Sequence, residues 1–166
     1  MGTRGAVGYF GKLNGENLHK VTYNHYDSYP SGLGKQVVEY IQSRELNING
    51  IKNDFKKIKL VENDESNYSE LRSLQGDLDG YSEVGKMIDS ESFLGDSLFC
   101  EWAYIINTNT KKLEIYKGFQ TSKPKGRYRD IEPYGDYYGV SLIKSIPLED
   151  VTDKMMDDLE KEVYES

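Results

Sequence analysis

The fold class is decided by the stretch Trp102-Ala103-Tyr104-Ile105-Ile106-Asn107-Thr108-Asn109-Thr110-Lys111-Lys112-Leu113-Glu114-Ile115-Tyr116. In its first half Trp102, Tyr104 and Ile106 alternate with Ala103, Ile105 and Asn107, which is the period of two that a β-strand shows. Polar residues at 107–111 predict a turn, and residues 113–116 predict the returning strand. The stretch therefore predicts a β-hairpin.

A second hairpin is predicted near the amino-terminal end of the chain. Residues 3–13 and 18–23 have strand character. Between them, Asn14-Gly15-Glu16-Asn17 contains the Asn-Gly pair that tolerates positive φ in a tight turn. A further strand is predicted at 140–146, before a proline ends it.

Apolar residues at helical spacing predict two main helices. The first runs from about 33 to 44, and the second is an amphipathic helix at the carboxy-terminal end. Ile51, Phe55 and Ile58 repeat the helical spacing, but residues 58–61 fit a short strand equally well. The apolar face of the terminal helix comprises Leu148, Val151, Met155, Leu159 and Val163.

Residues 62–97 are acidic and rich in Ser, Gly and Asp, with short helical candidates at 68–74 and 81–88. We interpret this stretch as a lobe on the core and not as a second domain. The chain is therefore predicted to be a single α+β domain over residues 1–166. Its mostly antiparallel sheet would be built from two hairpins plus a further strand, with helices packed on it.

The composition excludes several classes of protein. The mean hydropathy is −0.71, and no run is long enough to cross a bilayer, so no membrane association is expected. The single cysteine, Cys100, excludes an intrachain disulfide and is expected to be buried and inert between apolar neighbours. His19, His25 and the carboxylates lack the spacing of a metal site, and we predict neither a metal nor a cofactor.

The net charge of −7 hides an uneven distribution. Residues 62–101 carry a net −9 and residues 148–166 a net −6, whereas residues 111–129 carry +6 and residues 1–61 carry +4. Such blocks are usually solvated faces that balance one another in the fold. The alternative is a local anion site inside an acidic protein. General nucleic-acid binding is not expected, because it needs a broad positive surface.

The most concentrated polar segment is Thr22-Tyr23-Asn24-His25-Tyr26-Asp27-Ser28-Tyr29-Pro30-Ser31-Gly32-Leu33-Gly34. It ends at a predicted helix start, where free N–H groups favour phosphate or carboxylate. It lacks a complete dinucleotide fingerprint and a complete P-loop. In the plainer interpretation, Ser31 caps the helix and Asp27 ties the turn. A catalytic triad of His25, Asp27 and Ser28 is not expected, because neighbours in a loop rarely form that geometry.

A basic loop is predicted at residues 120–137. It alternates Lys123, Lys125, Arg127 and Arg129 with Pro, Gly and Tyr residues. A guanidinium on a phosphate and a ring on a base would let such a loop close on a nucleotide. A flexible surface loop has the same composition, and both interpretations stay open.

Four blocks of residues resemble a family of small uncharacterised proteins found in bacteria and their phages. The blocks are Gly2-Thr3-Arg4-Gly5 with Gly8-Tyr9, Tyr23 to Gly34, Ser97-Leu98-Phe99-Cys100-Glu101-Trp102-Ala103-Tyr104, and Glu114-Ile115-Tyr116-Lys117-Gly118-Phe119-Gln120. The resemblance spans residues 2–120 and implies that these blocks form one recurring unit, but it brings no established activity. Many phage proteins of this size block host defence, some by sequestering nucleotide second messengers. The resemblance therefore favours a counter-defence role.

Our first hypothesis is a protein that sequesters a small anionic, nucleotide-derived signalling molecule without catalysis. The amino-terminal residues are not a signal peptide, so the cytoplasm of the bacterial host is the expected location. Arginines and His25 would contact the anion, aromatic rings would stack or shape the pocket, and polar side chains would bind ribose or base edges. The predicted ligand-binding residues are Arg4, Tyr23, Asn24, His25, Asp27, Ser28, Tyr29, Trp102, Arg127, Tyr128 and Arg129. Tyr26 and Tyr134 lie in or near the same segments.

Two other hypotheses stay open. One is a small hydrolase of a nucleotide-like substrate, with His25 or Asp27 as base and the first helix N-terminus stabilising the anion. The other is an inhibitor that docks on a host protein through the acidic terminal helix. That helix has a good apolar face, so we expect it to be structural. A homo-oligomer is also left open.

Overall fold

A five-stranded sheet forms the centre of the protein in the computed structural model, which describes residues 3–45, 47–133 and 135–165. The strands are β1 (Gly5–Leu13), β2 (Glu16–Asn24), β3 (Lys59–Val61), β4 (Lys86–Ile88), β5 (Trp102–Asn107), β6 (Lys112–Lys117) and β7 (Ser141–Pro147). The order in the large sheet is β2-β1-β5-β6-β7. β1 and β5 pair in parallel, and the other three pairs are antiparallel. The predicted α+β class and mostly antiparallel sheet are therefore confirmed.

Both predicted hairpins are present. The first has a tighter turn than predicted, because Leu13 already pairs with Glu16. Its two loop residues, Asn14 and Gly15, have φ of 53° and 83°, the positive values that a two-residue hairpin turn requires. The second hairpin joins β5 to β6.

The helices are α1 (Lys35–Ser43), α2 (Ile48–Lys57), α3 (Glu65–Leu71), α4 (Leu78–Val84) and α5 (Asp153–Glu165). A π-helical turn at Pro30–Gly34 leads into α1, and short 3-10 turns occur at Arg72–Leu74, Glu91–Gly95 and Leu148–Asp150. The prediction of a helix over 81–88 is wrong beyond Val84. Gly85, with φ of 83°, ends α4, and the following strand β4 pairs in parallel with β3. Residues 59–61 are therefore a strand.

The helices cover one face of the large sheet. Residues of β1, β5 and β6 pack there with α1, α2 and α5, and Leu71, Leu78, Tyr81 and Met87 of the acidic stretch belong to the same apolar cluster. Helix α5 buries Met156 and Leu159, so it is part of the core, as expected. Among the described residues, no helix is both long and apolar enough to cross a membrane.

The other face of the sheet is covered by chain without α-helix or strand. Leu94, Tyr128 and Val140 pack there against Ala103 and Ile105. Backbone hydrogen bonds from Val140 N–H to the Leu94 carbonyl (3.0 Å) and from Leu142 N–H to the Lys125 carbonyl (2.9 Å) fasten this covering layer. The described part of the basic loop is thus packed on the sheet.

Candidate functional site

The segment after β2 is held together by its own polar groups. The side-chain amide of Asn24 donates to the Tyr26 carbonyl (2.6 Å) and to the Ser28 hydroxyl (2.8 Å), and the Tyr104 hydroxyl donates to the Ser28 carbonyl (2.7 Å). Asn24 and Ser28 are both buried. Their hydrogen-bonding groups serve the loop, so we do not include Asn24 and Ser28 in the candidate site.

The turn before α1 contacts a carboxylate from the protein itself. The Glu160 carboxylate accepts hydrogen bonds from the Ser31 N–H (3.1 Å) and hydroxyl (2.8 Å). Nearby, Lys35 pairs with Asp157 at 2.9 Å. The carboxylate at this helix start comes from the acidic helix α5. The Ser31 hydroxyl bonds Glu160 and does not cap the helix, so the interpretation of Ser31 as a cap is wrong.

Three further predicted residues, Arg127, Tyr128 and Trp102, make contacts within the protein itself. The guanidinium of Arg127 donates to both carboxylate oxygens of Glu114, at 2.8 and 2.9 Å, and lies 3.7 Å from the centre of the Phe10 ring. Tyr128 is 3% exposed and Trp102 is fully buried on the opposite, helix-covered face of the sheet. We therefore do not include these three residues in the candidate site.

The remaining predicted residues lie apart from Arg127. Arg4 precedes β1 and stacks on Phe99 at 5.3 Å, whereas Arg127 stacks on Phe10. At about 3.3 Å per strand residue, the six residues from Arg4 to Phe10 span roughly 20 Å. One pocket cannot hold both arginines against one small ligand.

Asp27, Tyr29 and Arg129 do not complete such a pocket either. Asp27 is exposed, and the turn is closed by its backbone carbonyl, which accepts from the Leu33 N–H (2.8 Å). Tyr29 packs partly buried against the apolar core, and Arg129 is exposed beside Asp130. Tyr134 lies outside the described residues.

Tyr23 and His25 are two predicted residues that the structure brings together. The Tyr23 hydroxyl oxygen and the His25 Nδ1 are 2.6 Å apart, and the His25 N–H donates to the side-chain carbonyl of Gln75 (2.8 Å). Tyr23 and Gln75 line a cavity of about 180 Å³ at the edge of the sheet, which we call the tyrosine cavity. It is lined by Thr22, Tyr23, Asn63, Tyr68, Leu71, Arg72, Gln75, Tyr81, Ile88 and Ser90.

The tyrosine cavity combines aromatic rings with one cation. Tyr23 packs edge-to-face on Phe93 at 5.1 Å, which fixes its ring, and the ring of Tyr68 is 51% exposed at the rim. No carboxylate among the described residues lies within ion-pair distance of Arg72. A cation without a protein counter-charge beside aromatic rings suits an anion that carries a ring.

Two tyrosine hydroxyls of the cavity, those of Tyr23 and Tyr81, are neutral. Burial raises the pKa of Tyr81 to about 12. Burial likewise raises the pKa of Tyr23, although the positive charge of Arg4 opposes the shift. The Tyr23 hydroxyl is already hydrogen-bonded to His25, so its ring is the part that faces a ligand.

Comparisons with protein-family models, with curated proteins and with solved structures find no match. The function is therefore inferred from the residues of the site. Within the described ranges, there is no group of three or more His, Cys, Asp or Glu side chains that could hold a metal ion. Cys100 is fully buried, as predicted, and burial raises the pKa of its thiol.

The sequence interpretation missed Tyr68, Arg72, Gln75 and Tyr81. All of them lie in the acidic stretch, which drew no functional prediction. One signal was present: Tyr68 and Arg72 are four residues apart at a helical candidate, and this spacing places two side chains on one helix face. Arg72 is also one of two basic residues between positions 62 and 101.

Proposed function

We propose that the protein binds a small, nucleotide-type anion in the tyrosine cavity without turning it over. The observation that carries the proposal is the meeting of Tyr23, Tyr68 and the uncompensated Arg72 around one cavity. Following the resemblance to phage proteins, we propose that binding sequesters a signalling nucleotide of the host. Sequestration needs affinity and no nucleophile.

The size of the cavity suggests which part of the ligand it takes. Pockets for whole drug-sized ligands measure roughly 300–1,000 Å³, and the tyrosine cavity measures about 180 Å³. A base would therefore enter between Tyr23 and Tyr81, and the phosphates would stay at the exposed rim with Arg72. Gln75 would bond a base or ribose edge.

A larger cleft, which shares Gln75 with the tyrosine cavity, fits an anion poorly. It measures about 490 Å³ and lies between α1 and the segment that contains Asp77 and Asp79. Glu39 adds a further carboxylate to its lining, and among the described residues no cationic side chain lines it. Electrostatic repulsion would oppose a phosphate in this cleft.

The hydrolase hypothesis remains the second candidate because His25 contacts Tyr23, which lines the cavity. The Nδ1 atom of His25 is engaged by the Tyr23 hydroxyl, which leaves Nε2 for a substrate or water. The helix start expected to stabilise the anion is filled by Glu160. His25→Ala is therefore expected to leave ligand binding in place, whereas loss of a measured turnover in this variant would favour the hydrolase.

Two measurements test binding. The purified protein is denatured and released small molecules are identified by mass spectrometry, and calorimetry then measures affinity for cyclic mononucleotides, cyclic dinucleotides and ADP-ribose derivatives. We expect micromolar or tighter binding by at least one of them. Each of Tyr68→Ala and Arg72→Ala should weaken it about tenfold or more, because base stacking alone contributes about 1–3 kcal/mol.

Arg129→Ala is the matched control, since it removes an exposed arginine that does not line the cavity. It should leave the affinity within about twofold of wild type. Absence of micromolar binding across the panel would overturn the proposal. Equal weakening by Arg72→Ala and Arg129→Ala would also overturn it, because net charge alone would then explain the effect.

A further inference from the structure

A second concave surface lies at the far end of β1 and has the opposite chemistry from the acidic cleft. This cleft, which we call the lysine cleft, measures about 580 Å³ between the end of β1, helix α2 and the turn from β5 to β6. Its polar lining comprises Lys12, Lys52, Asn53, Lys56, Thr108 and Asn109. In the part of the chain that the structure describes, no acidic residue lines it.

The three lysines of the cleft lack a protein counter-charge. In the described ranges, no carboxylate lies within ion-pair distance of Lys12, Lys52 or Lys56. Lys52 and Lys56 are four residues apart on α2, where like charges repel and destabilise a helix slightly. An external anion bound between these lysines would reduce that repulsion.

The walls of the lysine cleft are fixed. The Asn109 side chain accepts from the Lys12 N–H (3.0 Å) and donates to Asn17 (3.1 Å), which joins the two hairpin turns. Beneath the cleft, the buried ammonium of Lys20 donates to the carbonyls of Phe55 (2.5 Å) and Ile58 (2.6 Å) and ties the end of α2 to the sheet. Binding would therefore require the ordering of lysine side chains and little change of backbone.

We infer that the lysine cleft binds a compact chain of two or more phosphate groups. Lysine ammonium groups act as point charges that match phosphate oxygens from several directions, without the planar geometry that an arginine imposes. The cleft is independent of the tyrosine cavity. Lys12 is five residues along β1 from the residue paired with Thr22, which corresponds to roughly 17 Å.

Calorimetry with inorganic tripolyphosphate at low salt tests this inference. We expect one bound tripolyphosphate per chain, with an affinity that falls as KCl is added. The double variant Lys52→Gln/Lys56→Gln should bind about tenfold more weakly or worse. Lys57→Gln/Lys59→Gln removes the same charge from exposed positions outside the cleft lining and should change the affinity by less than about twofold.

The inference is overturned if wild type shows no saturable binding, or if both double variants weaken it equally. Tighter binding of a single-stranded oligonucleotide through Lys52 and Lys56 would assign the cleft to nucleic acid and would also overturn it. Arg72→Ala should leave tripolyphosphate binding unchanged. Failure of this site and failure of the tyrosine cavity are therefore separate results.

Discussion

Arg127→Ala is expected to lower the free energy of unfolding by about 3–5 kcal/mol, the usual cost of breaking a buried ion pair from one side. The variant leaves the Glu114 carboxylate, whose side chain is 9% exposed, without its cation. Burial by itself would raise the pKa of Glu114, but hydrogen bonds from Arg127, Asn107 and Tyr116 hold it below its ordinary value. Without Arg127, the folded protein buries the Glu114 charge without a cationic partner, which destabilises the folded state.

Urea unfolding followed by circular dichroism measures this change. Arg129→Ala is the matched control, because Arg129 lies two residues further on, is exposed and should change stability by less than about 0.5 kcal/mol. Equal stability of the two variants would contradict the structural role assigned to Arg127. It would also reopen the interpretation of the basic loop as a mobile element.

The second large effect is a loss of stability in mild acid that depends on His19. Its Nδ1 lies 3.0 Å from a Glu91 carboxylate oxygen, and its Nε2 lies 2.9 Å from the Tyr128 hydroxyl. Burial first, and then the charge of Arg127, lower the pKa of His19 to about 4. The folded protein therefore holds a neutral imidazole, with the Nδ1 proton donated to Glu91.

Because the pKa of His19 is lowered in the folded state, the protein loses stability as the pH falls. The unfolded chain takes up the proton near pH 6.5, whereas the folded chain resists protonation until about pH 4. The stabilising contribution is complete above pH 6.5 and is lost as the pH falls towards 4. Each unit of the pKa difference corresponds to about 1.4 kcal/mol, so the free energy of unfolding falls by about 3 kcal/mol over this range.

Urea unfolding of wild type and His19→Gln at several pH values between 7 and 4 isolates this contribution. Glutamine keeps a hydrogen-bonding group but does not titrate, and the carboxylates that do not contact residue 19 contribute equally to both proteins. We expect wild type to lose about 3 kcal/mol more than the variant over this range. Parallel stability curves would contradict the assignment of a buried neutral His19.

The hairpins were predictable because each depends on short-range pattern. The alternation at 102–107 and the Asn14-Gly15 pair act within a few residues. The parallel pairing of β1 with β5 was not predictable in this way, since it joins residues almost 100 positions apart, such as Gly5 and Trp102. The end of α4 was also missed, because a single glycine, Gly85, ends the helix within a stretch whose apolar spacing is helical.

The candidate site was predicted in part, and its errors share one physical cause. The residue types of Arg127 and the helix start at Ser31 do favour anions, but the chain supplies those anions itself through Glu114 and Glu160. Charge blocks along a sequence do not reveal which charges meet in space. Arg72 was passed over for the converse reason: it lies in an acidic block, yet no carboxylate of the described chain neutralises it.

The central claim is that a nucleotide-type ligand occupies the tyrosine cavity, and an NMR titration of the ¹⁵N-labelled protein with cyclic nucleotides and ADP-ribose tests it most directly. We predict saturable shifts at the amides of Thr22, Tyr23, Arg72 and Gln75, which line the cavity. The amides of Lys52 and Asn53 in α2 should stay in place with a ligand that lacks a phosphate chain. Absence of shifts with every ligand, or shifts confined to residues outside the cavity, would contradict the account.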